Sequence, residues 1–329
     1  ERVTEMSTRD NVLELLLDCK DYISGEALAS ELNIGRNSIW KAVKQLQSEG
    51  FDIQAVNNKG YTLKKSADII DSVLIKHFLK DKNTDVYAFN EIDSTNNYAK
   101  ELAKNGAAAR TLVVSDCQTA GKGRMGRSFC SPHGTSIYMS VILRPQTDME
   151  TSQLITSCAA VAAAKAIDDI CGTDTKIKWV NDLYLGGRKI SGILTEASVN
   201  FETLMPDYAV VGIGINVKSM KDYFSEELLE KATSIEDETG SAPLRSQLIA
   251  EILTNLCDLT DRLPDKSFIE EYKKRSFIIG QRVAVSKFAG EEKMAVAKDI
   301  SDDAGLVVRY DDGETETLNS GEARIIPAF

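Results

Sequence analysis

The spacing of hydrophobic residues changes twice along this chain, which argues against a fold built from one repeated structural unit. Apolar residues recur at helical spacing over about the first 50 residues, and strand and helix patterns alternate from Val86 onward. From Arg282 onward the chain consists of short β runs separated by Gly or Asp turns. At 329 residues the chain is long enough for two or three domains.

The N-terminal segment has the pattern of a winged helix-turn-helix. A tight turn at Asn33–Gly35 separates two helical stretches, and Asn57–Gly60 is typical of a hairpin turn. Asn37 or Ser38 is expected to cap the third helix. The predicted elements are helices over Asn11–Cys19, Gly25–Leu32 and from Asn37 or Ser38 to Ser48, followed by strands over Phe51–Val56 and Gly60–Leu63.

This segment is locally basic in an acidic chain, which indicates a nucleic-acid contact. The whole chain carries a formal charge of -11, whereas Ile34 to Lys65 holds six Lys or Arg residues against Glu49 and Asp52. The third helix is expected to enter the major groove and the wing at Asn57–Gly60 to approach the backbone. The predicted DNA-binding residues are Arg36, Asn37, Ser38, Trp40, Lys41 and Lys44, with Gln45 beside them. The alternative is a protein-docking module without a role on DNA.

The middle of the chain predicts a mixed α/β domain, and the end predicts a small β-barrel. The expected strands are Val86–Asn90, Thr111–Asp116, Ser136–Leu143, Lys176–Lys178, Lys189–Ala197 and Tyr208–Val217. The expected helices are Asn96–Asn105, Thr151–Cys171 and Leu244–Leu263, and residues 72–80 add a short one. The barrel runs are Arg282–Phe288, Glu292–Ile300, Leu306–Tyr310 and Glu314–Leu318. The predicted boundaries are a winged helix over 8–66, a linker over 67–85, a catalytic domain over 86–277 and a C-terminal domain over 278–329.

A glycine-rich basic loop, Gln118–Arg127, is the clearest chemical signal. Three glycines alternate with Lys122, Arg124 and Arg127 directly after a predicted strand. Glycine lets the backbone approach an anion closely, and Arg can form a forked contact with phosphate. The loop lacks the GxxxxGK[ST] spacing of a P-loop. It therefore predicts a phosphate or carboxylate site, and the alternative is a flexible, solvated loop.

Four further motifs are individually weak. Lys176–Leu185 places a lysine at a strand end beside Asn181 and Asp182, which also fits a plain β-turn. Asp93–Asn97 is equally explained by a helix N-cap. Gly187–Glu196 fits a simple hairpin, and the alternating glycines of Val211–Val217 indicate something packed closely on that strand.

Taken together, the motifs DSTN, QTAGKGRMGR, KWVNDLYL, GRKISGILTE and GIGIN occur in one domain and in a specific order. This arrangement resembles the biotin protein ligases (biotin–acetyl-CoA-carboxylase ligases) over about residues 86–329. The winged helix extends the resemblance to the bifunctional members that also act as biotin operon repressors. The implied fold is an α/β (α+β) multi-domain chain with a biotin/lipoate-ligase-like mixed sheet and an SH3-like C-terminal barrel.

The resemblance implies an ATP-dependent ligase that forms biotinyl-5′-AMP and transfers biotin to a lysine of a biotin carboxyl carrier protein. The implied catalytic residues are Lys178 and Arg124. The implied biotin-binding residues are Ser94, Thr95, Gln118, Gly121, Lys122, Gly123, Arg124, Lys178 and Gly192. The implied nucleotide-binding residues are Lys122, Arg124, Arg127, Lys178, Asn181 and Asn216, with Gly212 and Gly214 nearby. Asp182 and Asn181 are expected to orient Lys178 or a magnesium ion that enters with ATP.

The resemblance also implies two macromolecular partners and a homodimer. The adenylate is expected to promote dimerisation, and the dimer is expected to bind operator DNA. Three positions depart from the family pattern: Lys122 replaces the usual Arg, Val180 the usual Pro and Phe129 the common Trp. These changes are expected to tune affinity and to loosen the turn at Val180 slightly. The alternatives are a lipoate-type ligase and a biotin-sensing repressor without turnover.

The cysteine spacing and the length of the apolar stretches indicate the cellular compartment of the protein. None of the six cysteines forms a CxxC pair and the chain has two histidines, so spacing predicts neither a zinc site nor a disulfide framework. No apolar stretch approaches the roughly 18 residues of a membrane span. The sequence therefore predicts a cytoplasmic protein with reduced cysteines and no membrane partner.

Overall fold

The computed structural model describes residues 6–64, 68–145, 151, 154–199, 205–286 and 292–326, with the side chain of Glu322 excepted. The first domain confirms the predicted winged helix-turn-helix. Its elements are α1 (Thr8–Asp18), α2 (Gly25–Glu31), α3 (Arg36–Ser48), β1 (Ile53–Val56) and β2 (Gly60–Leu63). β1 and β2 pair antiparallel, and Ile23 bridges to Tyr61 of the wing.

The predicted cap of the third helix was wrong. α3 begins at Arg36 behind Gly35, whose extended backbone makes the turn, and no side chain makes a capping hydrogen bond. Asn37 and Ser38 therefore lie inside the first turn. The helix is held by its apolar face, where Ile39, Val43 and Leu46 pack into a core shared with α1. Tertiary packing decides the helix start here, and capping does not.

Helix α4 (Ser72–Phe78) lies within the predicted linker and joins two cores. Asp71 caps it, because its carboxylate accepts hydrogen bonds from the backbone N–H groups of Val73 and Leu74, both at 2.9 Å. Val73 and Leu74 pack into the winged-helix core. Ile75 belongs to the core of the central domain together with Ile70 and Leu79, which flank the helix. Helix α4 therefore contributes side chains to the hydrophobic cores of both domains.

The central domain is a seven-stranded mixed sheet in the order β3-β4-β5-β9-β8-β7-β6. Its strands are β3 (Val86–Phe89), β4 (Leu112–Ser115), β5 (Ser136–Leu143), β6 (Lys176–Lys178), β7 (Asp182–Leu185), β8 (Arg188–Val199) and β9 (Pro206–Asn216). β3 and β4 are parallel, and the other neighbours are antiparallel. The predicted mixed α/β domain is confirmed.

Helices cover both faces of this sheet. They are α5 (Thr95–Lys104), α6 (Ile155–Cys171), α7 (Glu226–Lys231), α8 (Ile235–Thr239), α9 (Arg245–Thr260) and α10 (Phe268–Arg275). The alanine-rich α6 is buried with α9 against one face, where its small side chains permit close packing. Because side chains alternate along a strand, α5 packs on the opposite face with Val113, Ile142 and Val210. The short helices α7, α8 and α10 were not predicted from the sequence.

The C-terminal domain is a five-stranded antiparallel sheet in the order β13-β12-β11-β10-β14. Its strands are β10 (Arg282–Ser286), β11 (Lys293–Ile300), β12 (Leu306–Tyr310), β13 (Thr315–Leu318) and β14 (Glu322–Ile325). β14 was not predicted. The indole N–H of Trp179 donates to the carbonyl of Ala304 at 2.9 Å, so this sheet is fastened to the central domain beside Lys178. Within the described part of the chain, no helix combines the length and the apolar character that crossing a bilayer requires.

Candidate active site

One cavity of about 540 Å³ lies over the sheet, and most of the predicted site residues line it. The start of α5, the glycine-rich basic loop, the turn between β6 and β7, strands β8 and β9, and β14 all contribute to its wall. The predicted residues that line it are Ser94, Thr95, Gln118, Lys122, Gly123, Arg124, Arg127, Lys178, Asn181, Asp182, Gly192, Gly212 and Gly214. Gly121 and Asn216 are absent from this lining set. Its size suits a ligand of drug-like dimensions.

Gly212 and Gly214 of β9 line the cavity, and neither position has room for a Cβ atom. A Cβ atom on Gly212 would lie 2.2 Å from the side-chain oxygen of Asn96, and one on Gly214 would lie 2.6 Å from the ring of Phe129. Both distances are far below a van der Waals contact. The prediction that something packs closely on this strand is confirmed, and the neighbours are Asn96 and Phe129. Phe129 also makes an edge contact with Tyr138, at 6.3 Å between ring centroids.

A hydrogen-bonded polar network forms one end of the cavity. The Gln118 side-chain oxygen accepts from the Thr95 backbone N–H at 2.9 Å and from its hydroxyl at 3.1 Å. The Ser140 hydroxyl lies 2.8 Å from the Thr95 hydroxyl and 2.6 Å from the Asn96 side-chain oxygen. Ser94 occupies the N-cap position of α5, yet its hydroxyl makes no capping hydrogen bond. The simple capping explanation therefore does not account for Ser94.

Below this network, Asn96 also donates to the carboxylate of Glu196 at 2.8 Å, and Lys100 lies 2.7 Å from the same carboxylate. Burial raises the pKa of Glu196, but the hydrogen bonds from Lys100 and Asn96 outweigh it, and the net pKa is lowered. The ionised carboxylate thus fixes Asn96 beneath the network.

The basic loop is folded over the cavity by contacts with three other segments. Lys122 donates to the side chain of Asn97 on α5 at 2.8 Å. Arg124 donates to the side-chain oxygen of Asn181 at 3.0 Å and to the backbone carbonyl of Gly321 at 3.3 Å. Gly121 supports the loop from behind, since a Cβ there would lie 2.6 Å from the carbonyl oxygen of Phe129. Arg124 thereby joins the loop, the β6–β7 turn and the C-terminal domain.

The β6–β7 turn holds a second group of charges. Lys178 ends β6, and its Nζ lies 6.0 Å from the ring centroid of Tyr184. Asp182 and Lys189 form an ion pair at 2.7 Å. Burial, together with the negative charge of Asp182, raises the pKa of Tyr184 to about 12. The Tyr272 hydroxyl donates to the carbonyl of Val180 at 3.1 Å, which anchors the turn where Val replaces the family's Pro.

Asn216 lies at the end of β9, outside the cavity lining. Its side-chain N–H donates to the carbonyl of Thr233 at 2.9 Å, whereas its buried side-chain oxygen has no hydrogen-bond partner among the described residues. Buried polar atoms are usually paired. The Asn216 side-chain oxygen is therefore a buried acceptor, unpaired within the described part of the chain, that lies outside the cavity lining.

The cavity is strongly cationic for a protein of net charge -11. Asp182 is the one carboxylate among the described residues that line it. The lining cations are Lys122, Arg124, Arg127, Lys178, Lys189, Lys231 and Arg324. Lys231 and Arg324 were not predicted from the sequence as site residues, nor were Asn96, Ser128, Tyr138, Met139 and Gly321. Lys189 lay in a motif that was noted without a role, whereas the C-terminal residues carry no local sequence signal.

Three family models match the chain in the order of its three domains. An HTH domain matches residues 8–62, the biotin/lipoate A/B protein ligase family matches residues 88–216, and the biotin protein ligase C-terminal domain matches residues 278–324. Together with the cationic cavity, they define a ligase domain that carries a helix-turn-helix domain at one end and a small β domain at the other.

Individual relatives agree with this arrangement. The bifunctional ligase/repressor BirA of Bacillus subtilis is 36% identical over 248 residues, which are 74% of this chain and 76% of that protein. BirA of Escherichia coli is 26% identical over 92% of this chain and 94% of its own length. The chain belongs to the biotin protein ligase family. The biotin protein ligase of Aquifex aeolicus in complex with biotin and ATP shares the fold, with a TM-score of 0.62 at 24% identity over 74% of this chain and 99% of that one.

Proposed function

We propose that this chain is an ATP-dependent biotin protein ligase and a biotin-responsive repressor. The carrying observation is the cavity itself, which has a polar hydrogen-bonding end and a wall with seven cations and one carboxylate. Two of these cations, Lys231 and Arg324, are ion-paired with Glu227 and Glu292 outside the lining. In the first step a biotin carboxylate oxygen attacks the α-phosphorus of ATP, and the bond from that phosphorus to the bridging oxygen breaks. The products are biotinyl-5′-AMP and pyrophosphate. Two anions must approach each other, and fixed cations lower the electrostatic cost of that approach.

Lys178 and Arg124 are proposed as the catalytic cations. Lys178 ends β6 at the cavity wall, and the next residue, Trp179, donates a hydrogen bond to the carbonyl of Ala304 in the C-terminal domain. An ammonium group there neutralises the carboxylate and the α-phosphate as they meet. Arg124 is already oriented by Asn181 and Gly321, so its guanidinium can stabilise charge on the transferring phosphate with little rearrangement.

The polar end is proposed to bind the neutral ureido ring of biotin. Such a ring requires donors and an acceptor together, which Ser94, Thr95 and Gln118 supply. The hydrogen bonds between Thr95 and Gln118 orient both groups in advance. Among the loop and strand glycines, Gly121 shapes the loop, whereas Gly123 and Gly192 leave room for backbone contacts with the ligand.

The nucleotide is proposed to lie toward the basic loop. Lys122, Arg127 and Asn181 border that part of the cavity, and Asn216 is proposed to lie near the nucleotide from its position at the end of β9. Mg²⁺ is proposed to enter the site bound to ATP. Asp182, the lining carboxylate, is the protein group suited to holding that ion or its water shell.

In the second step, the neutral amine of a carrier-protein lysine attacks the acyl carbon of the adenylate. The bond to the AMP oxygen breaks, an amide forms, and the amine proton passes to solvent. The partner is proposed to be a biotin carboxyl carrier protein.

The repressor role is proposed to use the exposed face of α3. Arg36, Asn37, Ser38, Trp40, Lys41 and Lys44 are all exposed, and Trp40 is 54% exposed. Arg36 is ion-paired with Glu26, so contact with a phosphate would require it to exchange partners. One such helix offers few phosphate contacts, and a homodimer formed with bound biotinyl-AMP doubles them.

The deciding experiment is transfer of labelled biotin to a purified apo carrier domain, with ATP and Mg²⁺. Labelled carrier, with unlabelled lipoate unable to compete, is the expected result. Competition by lipoate would instead indicate a lipoate-type ligase. Biotin binding without transfer would limit the protein to sensing. A gel shift at fixed salt, with and without biotin plus ATP, tests the repressor role, and operator binding indifferent to both ligands would contradict it.

A further inference from the structure

A cluster of metal-ligating side chains lies outside the cavity, at the ends of β3 and β4. Glu91, Cys117 and His133 each place one donor atom within 4.8 Å of the other two. The three residues are far apart in sequence and form no recognisable spacing motif. The fold brings them together because the backbone of Ile92 hydrogen-bonds to Cys117 and Thr119, and because the loop after residue 131 returns over this pair.

The histidine in this cluster is oriented as in many metal sites. Nε2 of His133 lies 3.3 Å from the Glu91 carboxylate, and Nδ1 lies 3.3 Å from Oδ2 of Asp116. The same Asp116 oxygen accepts the backbone N–H of Gly134 at 3.0 Å, and its other oxygen is 2.6 Å from Arg245. Metal-ligating histidines commonly donate their second ring N–H to a carboxylate in this way.

We propose that Cys117, His133 and Glu91 form a binding site for a zinc-class divalent cation, with Asp116 as the carboxylate that orients His133. Thiolate, imidazole and carboxylate together match Zn²⁺ and its spectroscopic substitute Co²⁺, whereas Mg²⁺ and Ca²⁺ prefer oxygen ligands alone. Three protein ligands leave a fourth position for water.

The distances suit this site after a small adjustment. Bonds of about 2.0–2.3 Å to a tetrahedral ion place its ligand atoms roughly 3.5 Å apart. The side chains of His133 and Glu91 are 55% and 57% exposed, so both can close on an ion without disturbing the core. Cys117 is buried.

An ion at this position would clamp two segments that also hold Gln118. One segment contains Cys117 next to Gln118, and the other contains Ser131, whose hydroxyl accepts from the Gln118 side chain at 3.2 Å. The proposed metal site is therefore adjacent to the cavity, because Gln118 lines the cavity and lies next to Cys117 in the chain. The metal proposal does not depend on the ligase function.

The test is titration of the full-length, chelator-treated and reduced protein with Co²⁺, followed by displacement with Zn²⁺ in a calorimeter. The expected result is one equivalent per chain with a thiolate-to-cobalt charge-transfer band. Cys117→Ala removes that band. His133→Ala weakens binding by more than about 100-fold, since loss of a ligand exceeds the roughly 10–100-fold effect of losing a second-sphere partner.

Matched controls are Cys130→Ser, an exposed cysteine of the basic-loop region, and His77→Gln, the other histidine of the chain. Both are expected to bind Co²⁺ as the unaltered protein does. Because His133 lies at the surface, its variant tests the site even if Cys117→Ala loses stability, and circular dichroism verifies both folds. The proposal is overturned if the unaltered protein shows no charge-transfer band, or if His133→Ala binds with unchanged affinity.

Discussion

Two lysines of the winged helix and two cations of the cavity differ in how they are held. Lys41 and Lys44 project from α3 into solvent, whereas Arg124 is 3.0 Å from Asn181 and Lys189 is 2.7 Å from Asp182. Exposed surface cations suit a long polyanion, whose binding depends on counterion release and not on one geometry. Cations with fixed partners suit a small charged ligand, where position determines the rate of chemistry. The two regions therefore carry similar charge for different purposes.

The largest effect is expected at Lys178. Replacing Lys178 with Ala should lower kcat for biotin transfer by about 10²–10³-fold, because one fixed group that stabilises developing charge is lost. Lys176→Ala is the matched control, since Lys176 lies on the same strand but is paired with Asp174 at 2.6 Å. Initial rates of label transfer measure both. Equal loss in the two variants would mean that net charge, and not position, matters in the cavity.

The next effect concerns packing. Gly214→Ala should lower the free energy of unfolding by about 1–3 kcal/mol, because its Cβ would overlap the Phe129 ring. Adding Phe129→Ala to the same chain should recover part of that loss. Gly35→Ala in the winged helix, where a Cβ meets nothing within 4 Å, should change stability by less than about 1 kcal/mol. Urea denaturation of the four proteins tests this contrast, and a Gly35 variant as unstable as Gly214→Ala would refute it.

A smaller effect is expected on DNA. Lys44→Ala should reduce the slope of log affinity against log salt by about 1 for each chain bound, with biotin transfer unaltered. The control is Lys104→Ala, which removes an exposed charge from the central domain. Fluorescence anisotropy at several salt concentrations gives the slopes. A slope that remains unchanged in Lys44→Ala would remove α3 from the DNA contact.

The smallest effect is the pH dependence of Glu196. Its pKa is lowered in the folded protein, so its contribution to stability is present above the ordinary value of 4.5 and is lost as pH falls through the folded pKa. Glu196→Gln should be less stable at neutral pH, and the difference from the unaltered protein should shrink on acidification. Urea midpoints measured from neutral to acidic pH provide the check. A difference that grows toward low pH would contradict the assigned ionisation.

The sequence predicted strands well where both ends of the run are clearly marked. Ser136–Leu143 and Lys176–Lys178 match the structure residue for residue, because a turn or glycine borders each run. The short helices α7, α8 and α10 and the strand β14 were missed, since a few residues with mixed polarity carry little periodic signal. Their positions are decided by tertiary contacts.

The site residues also fall into those that the sequence predicted and those that it did not. Residues inside the basic loop and the KWVND motif were found because their chemistry is concentrated locally. Tyr138, Lys231 and Arg324 reach the cavity from distant segments, and no local pattern distinguishes them from ordinary core or surface residues. Gly121 and Asn216 were placed near ligands, yet neither lines the cavity, since one supports the loop from behind and the other bonds to Thr233. The roles of all these residues remain predictions.

Helix α4 has a consequence for any attempt to cut this protein into parts. A ligase fragment that keeps α4 exposes Val73 and Leu74, whose partners are in the winged helix. A DNA-binding fragment that keeps it exposes Ile75, whose partners are in the central domain. Either product carries a newly solvated apolar stripe, which favours self-association. Work on isolated pieces should therefore replace these residues with polar ones before a change in solubility or oligomeric state is attributed to function.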